Sequence, residues 1–188
     1  MADNHPQKND KHPYKPIVMI GLMGAGKSRI GRELAAKLAL PFVDADEEIV
    51  KAAGCSVSDI FELYGEDAFR DVESRVISRL LNGKVQIIAT GGGAFINADI
   101  RKIVAEKGIS LWLRAELDIL AERTSRRGGR PLLKGGDAKA ILKGLMDERY
   151  PVYAEADIIV ESKDVPINET VKETAAALSA YLDKQTGT

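Results

Sequence analysis

The segment Gly21-Leu22-Met23-Gly24-Ala25-Gly26-Lys27-Ser28 constrains this chain more than any other feature. It fits the pattern GxxxxGK[ST], and it stands where that pattern must stand. The compact apolar run Ile17 to Ile20, bounded by Pro16 and Gly21, reads as a buried strand. From Lys27 to Leu38 the residues Ile30, Leu34 and Leu38 step by four, the spacing of one helical face. A glycine-rich turn between strand and helix can wrap its N–H groups around phosphate oxygens. The helix N-terminus beyond it adds partial positive charge. Lys27 can reach β- and γ-phosphates, and the Ser28 hydroxyl can ligate Mg²⁺. The chain is therefore expected to bind a nucleoside triphosphate. The loop alone leaves open what receives the phosphate.

The rest of the chain repeats this alternation. Pro41 to Val43, Val85 to Ala89, Leu111 to Leu113 and Asp157 to Val160 read as further strands. Helical patterns run over Glu66 to Leu81, around Ile100 to Val104, over Leu117 to Arg127, Ala138 to Tyr150 and Val171 to Leu182. Five short apolar strands separated by helices point to an α/β protein whose parallel sheet is covered on both faces. Ligands of such sheets bind beyond the carboxyl ends of the strands. Glycines and acids stand there, after Ile20, after Val43 and after Ala89. A chain of 188 residues suggests one domain. Its body is expected at 16–182, with tails at 1–15 and 183–188.

Charge and rare residues narrow the chemistry. The chain has 27 Lys+Arg and 28 Asp+Glu, a net charge of −1, so it lacks the global field that grips nucleic acid or an anionic membrane. Neither partner is expected. No run of ~18 apolar residues offers a membrane span, and the polar first 16 residues lack the apolar stretch of a signal peptide. With Cys55 as the only cysteine, a cytoplasmic protein is expected, and neither an intrachain disulfide nor a cysteine-based zinc site can form. The only histidines, His5 and His12, lie in the N-terminal tail, which argues against a histidine base in the core.

Five other features carry candidate chemistry, each with a plainer reading beside it. Asp44 and Asp46 follow Val43. On an extended segment residues i and i+2 face one side, so one carboxylate could serve Mg²⁺ through water and the other a substrate hydroxyl. With Glu47 and Glu48 they would equally suit a helix N-terminus. Glu66 and Arg70 are four apart, which makes a surface pair worth only about 0.3–0.5 kcal/mol. Alternatively, the planar fork of Arg70 could grip a carboxylate. Gly91, Gly92 and Gly93 allow close approach to a ligand, or merely a flexible exit loop. Arg114, Arg123, Arg126, Arg127 and Arg130 form the densest positive stretch, with Gly128 and Gly129 inside it and Gly135 and Gly136 beyond; the glycines could hinge a closing lid, or the stretch could be a solvated loop. Arg149 could simply be a cation favoured at a helix C-terminus.

Taken in order, the motifs resemble the shikimate kinase family. They are GLMGAGKS at Gly21 to Ser28, the pair Asp44 and Asp46, GEDAFRDVE at Gly65 to Glu73, IIATGGGA at Ile87 to Ala94, RPLL at Arg130 to Leu133, and RYPVY at Arg149 to Tyr153. The likeness covers Ile17 to about Val160. It implies a three-layer fold of the nucleoside-monophosphate-kinase type, with a five-stranded parallel sheet in the order 2-3-1-4-5. A substrate region at about 44–80 and a lid at about 124–137 go with it. The implied reaction is ATP-dependent phosphorylation of the shikimate 3-hydroxyl, in aromatic amino-acid (chorismate) biosynthesis. One Mg²⁺ ion accompanies ATP, and a monomer is expected.

The resemblance also implies roles. Gly24, Ala25, Gly26, Lys27, Ser28 and Arg29 resemble the ATP-binding loop, with Ser28 and Asp44 serving the metal. Asp46 resembles the aspartate that binds the shikimate hydroxyls and orients or deprotonates the attacking one. Arg70 and Arg149 resemble the pair that holds the shikimate carboxylate, and Gly91, Gly92 and Gly93 the glycines beside the ring. Val57, Phe61 and Phe69 fall where the family has apolar walls. Arg130 resembles the lid arginine on the phosphates, and Arg123 the arginine packed against adenine. The lid departs from the family pattern in reading SRRGG before RPLL. Two rivals remain: a kinase for another small acceptor such as gluconate or a nucleoside monophosphate, and a nucleotide sensor without turnover. Two arginines for one carboxylate favour an acid substrate over the first. The presence of both Asp46 and Arg130 disfavours the second.

Overall fold

The computed structural model describes residues 13–126 and 137–185. Its strands are β1 (Ile17–Ile20), β2 (Phe42–Asp44), β3 (Ile87–Ala89), β4 (Ile109–Arg114) and β5 (Ile158–Glu161). All pair in parallel, in the order β2-β3-β1-β4-β5 implied by the resemblance. Among the described residues seven α-helices flank the sheet in a three-layer arrangement. They are α1 (Lys27–Lys37), α2 (Ala45–Ala53), α3 (Val57–Leu81), α4 (Ala98–Lys107), α5 (Leu117–Ser125), α6 (Ala138–Tyr153) and α7 (Ile167–Gln185). None is long and apolar enough to cross a membrane.

Burial explains why the strand sequences read as continuous apolar runs. β1 is the middle strand, and all four of its residues are buried. At the sheet edge β5 reverts to alternation, with Ile158 and Val160 buried and Ile159 exposed. Helix α1 lies close on the sheet because Gly31 has no side chain. A Cβ there would come within 2.7 Å of the Phe42 ring and 2.9 Å of Met19 Sδ. The register sets Met19, Ala89 and Asp44 level, so the loops after β1, β2 and β3 leave the sheet side by side. The chain's connections diverge on either side of β1, which makes this rim the natural ligand crevice.

Four departures from the sequence reading have physical causes. The helix expected from Glu66 begins at Val57 and is interrupted at Gly65, whose φ of 83° is left-handed. Ser56 and Asp59 form a capping box that starts it. Apolar periodicity missed this first half because only Ile60 is buried there, while Leu63 and Tyr64 are exposed. Asp44 and Asp46 do not share an extended segment: Asp44 ends β2 and caps α2, and Asp46 lies in the first turn of that helix. Helix α6 runs through Pro151 to Tyr153, three residues past its expected end. Proline removes one helical hydrogen bond, but the rings of Tyr150 and Tyr153 pack on Trp112 at 4.8 and 5.7 Å, and Tyr153 is fully buried. Finally, α7 continues through Gln185, so Asp183 to Gln185 are helical rather than tail.

Candidate active site

A cleft of about 1080 Å³ opens at the carboxyl ends of β1, β2 and β3. Among the described residues, every one to which the resemblance gives a role lines it except Ala25. Ala25 is buried beneath the loop, donating its N–H to the Leu22 carbonyl at 3.2 Å. Arg130 and most of the expected lid lie outside the described residues.

At one end the loop after β1 turns through Gly24 and Gly26, with φ of 85° and 96°, conformations that exclude most side chains. Gly26 caps α1 without any side-chain hydrogen bond, and no acid stands in the first turn. The first-turn N–H groups of a helix lack intrahelical carbonyl partners, and with no acid in that turn they suit an anion. Lys27 Nζ donates to the carbonyls of Gly21 at 2.7 Å and Leu22 at 3.1 Å, which holds it across the loop. Ser28 Oγ donates to Asp44 Oδ2 at 2.8 Å, while Asp44 Oδ1 accepts the Asp46 N–H at 3.1 Å. Asp44 is therefore both a helix cap and a cleft residue, and the two sequence readings of the pair merge. A hydroxyl and a carboxylate side by side are hard oxygen donors. They fit Mg²⁺, which takes one or two protein oxygens and completes its shell with water and substrate phosphates.

Arg123 borders the same end. Its Nη1 donates to Ser162 Oγ at 2.9 Å and to the Gly24 carbonyl at 3.4 Å, and its Nη2 donates to the Lys163 carbonyl at 2.6 Å. Arg29 lies on the rim, exposed.

The other end is made of side chains laid over the triple glycine. A Cβ on Gly93 would come within 2.8 Å of both Nη atoms of Arg70, one on Gly92 within 3.5 Å of Arg149 Nη1, and one on Gly91 within 3.2 Å of Asp46 Oδ1. The glycines make room for the site's own charged groups. Arg70 is oriented by two carboxylates: Nη1 donates to Glu73 Oε2 at 2.8 Å, and Nη2 to Glu66 Oε1 at 3.0 Å. Glu73 is 1% exposed, and that burial raises its carboxyl above the usual range. Arg70 pulls it back, and the nearby charge of Asp46 raises it further. Arg149 is nearly buried, and its Nε has no hydrogen-bond partner among the described residues. Phe61 and Phe69 form an apolar wall with ring centroids 4.6 Å apart, and Val57 lines the same side. A smaller hollow of about 370 Å³ shares Arg70, Gly93 and Arg149 with the cleft.

Three supporting residues escaped the sequence reading. Glu73 had one signal, its place one helical turn after Arg70. Tyr153 donates its hydroxyl to the Gly92 carbonyl, and burial pushes its pKa up to about 12, so it stays a neutral donor. Ser162 carried no signal at all.

With this geometry in hand, comparison with known proteins is decisive. The model of the shikimate kinase family matches residues 23–179. The chain belongs to the shikimate kinase family. The shikimate kinase of Rhodopseudomonas palustris is 53% identical over 168 residues, which is 89% of this chain and 83% of that protein. The shikimate kinase of Paramagnetospirillum magneticum is 53% identical over 169 residues, covering 90% of this chain and 87% of that one. Among solved structures, the shikimate kinase of Acinetobacter baumannii in complex with shikimate superposes with a TM-score of 0.84 at 33% identity. That match covers 92% of this chain and 96% of the other. The P-loop kinase fold of shikimate kinases is thus the fold of this chain.

Proposed function

We infer that this protein is an ATP-dependent phosphotransferase that converts shikimate and ATP to shikimate 3-phosphate and ADP. One observation carries the reading beyond family membership. Two guanidinium groups, from α3 and α6, lie over adjacent glycines opposite a phosphate-binding loop. That arrangement suits an acceptor with one carboxylate, gripped by Arg70 and Arg149, whose hydroxyl then faces the loop across the cleft.

Phosphoryl transfer asks the protein for positioning and charge neutralisation more than for covalent chemistry. The N–H groups of Gly24, Gly26, Lys27 and Ser28 hold the phosphates, and Lys27 leaves the loop carbonyls to reach the β- and γ-oxygens. Ser28 and Asp44 would hold Mg²⁺, which when bound draws charge from the same oxygens. Arg123 packs against the base, and Arg130 adds positive charge on the transferring group. Asp46, beside Gly91, takes the hydrogen bond of the acceptor hydroxyl and aims its oxygen. Val57, Phe61 and Phe69 exclude water from the ring, which limits wasteful hydrolysis of ATP. The lone cysteine and diffusible substrates support action in the cytoplasm.

ADP release with Mg·ATP, measured against shikimate, quinate, gluconate, AMP and no acceptor, tests the reading. Turnover with shikimate and not with gluconate or AMP is expected. Turnover with gluconate or AMP instead would keep the kinase and overturn the arginine pair.

A further inference from the structure

Ser162 follows the last residue of β5 and belongs to none of the motifs. It is 1% exposed, and its own N–H is fixed to the Arg114 carbonyl at 2.6 Å. Its hydroxyl joins two distant parts of the chain. Oγ donates to the Ala25 carbonyl at 2.8 Å and accepts from Arg123 Nη1 at 2.9 Å. A hydroxyl has one proton to give, so the chain of hydrogen bonds has a direction: Arg123 to Ser162 to Ala25. The charged donor at its head strengthens the second bond.

The peptide unit is planar, so a fixed Ala25 carbonyl fixes the Gly26 N–H that points the opposite way. Arg123 in turn is held to the Lys163 carbonyl. The segment beyond carries Val165, Ile167 and Thr170 to the same end of the cleft. One buried hydroxyl therefore connects the phosphate loop to the wall beside it.

We propose that Ser162 is a positioning residue for the nucleotide, coupling Arg123 to the phosphate loop so that each is held in place through the other. This rests on the nucleotide half of the function proposed above and not on the identity of the acceptor.

Calorimetric titration of the full chain with ADP, without acceptor, tests it in a cycle of Ser162→Ala, Arg123→Ala and the double variant. Ser162→Ala is expected to weaken ADP about tenfold, the size expected when a buried acceptor loses its donor. Because the two residues act through one relay, the double variant is expected to bind about as weakly as the weaker single variant. In turnover, KM for ATP rises while KM for the acid acceptor stays, a split that general loosening of the fold would not produce. Unchanged ADP affinity in Ser162→Ala, or losses that simply multiply in the double variant, would overturn the proposal. Failure of the unaltered protein to bind ADP would instead overturn the function proposed above. Should Ser162→Ala not fold, Ser162→Cys keeps the volume with a much weaker donor and carries the same cycle.

Discussion

At the end of the cleft proposed to take the nucleotide, the groups that would meet it belong mostly to one stretch of backbone. At the acceptor end they are side chains from α2, α3 and α6, gathered over three glycines. The glycines differ accordingly. Gly24 and Gly26 are required by left-handed φ angles. Gly93, with φ of −91°, is required by the guanidinium that occupies the place of its side chain. One end is a shape the backbone takes, and the other is a space the backbone leaves.

Removing a charge from the backbone-built end should have the largest effect. Lys27→Ala is expected to lower kcat by about 10²–10³-fold, the cost of losing a preorganised electrostatic partner. Shikimate affinity, measured by titration without ATP, should stay within about twofold. A comparable loss of shikimate affinity would mean that the two ends are not separately built.

Alanine at two glycines sharpens the contrast. In Gly93→Ala the atoms nearest the new methyl group are those at the far end of the Arg70 side chain, and the backbone is ordinary. The protein should melt near its normal temperature while KM for shikimate rises about ten- to a hundredfold, the range for a lost charged hydrogen bond. In Gly21→Ala the methyl group meets the Leu113 carbonyl oxygen at 2.7 Å, and φ is 142°. Neither backbone nor carbonyl can yield cheaply, so stability should fall by about 1–3 kcal/mol. Thermal melts and shikimate kinetics on both variants check this, and an exchange of the two outcomes would break the distinction.

The same contrast explains what the sequence could reveal. A backbone-built site needs contiguous residues, so Gly21 to Ser28 was legible as a unit together with β1 and α1. Every described strand was found: the inner strands β1, β3 and β4 are buried and leave apolar runs, and the edge strands β2 and β5 remain mostly apolar in sequence although less fully covered. Arg70 and Arg149 were legible as charges, but each had an adequate surface explanation, and only the family resemblance joined them. Tyr153 and Ser162 act through single hydrogen bonds to carbonyls far along the chain, at Gly92 and Ala25. Residue type and spacing carry no trace of such partners. The first half of α3 was missed for a related reason: apart from Ile60, its apolar residues line the cleft or lie exposed, so the periodicity of a buried face is absent.

Burial gives the acceptor end a pH dependence of its own. The raised carboxyl of Glu73 means that the folded protein keeps this proton to higher pH than the unfolded chain, whose value is near 4.5. From that value up to the raised one, this group's contribution to stability falls as pH rises, and above both it is flat. Glu73→Gln cannot titrate, so stability should vary less with pH in that window. The difference in slope cannot exceed about 1.4 kcal/mol per pH unit for one proton. Urea unfolding at stepped pH measures it, and parallel curves for the two proteins would remove Glu73 as the source.

Glu66 gives the smallest effect and the cleanest control. It accepts from the same arginine at 3.0 Å, hardly longer than the 2.8 Å contact of Glu73. Yet the Glu66 side chain is 64% exposed and that of Glu73 only 1%. Water competes for Arg70 at Glu66, and rotamer entropy opposes the pair, so geometry overstates its worth. Glu66→Gln should change stability by no more than about 0.5 kcal/mol and KM for shikimate by no more than about twofold. Urea unfolding and shikimate kinetics beside Glu73→Gln make the comparison at one arginine. A Glu66 variant as damaging as the Glu73 variant would mean that Arg70 needs both carboxylates to hold its angle over Gly93, and that contact geometry rather than solvent exclusion sets the strength of this end of the site.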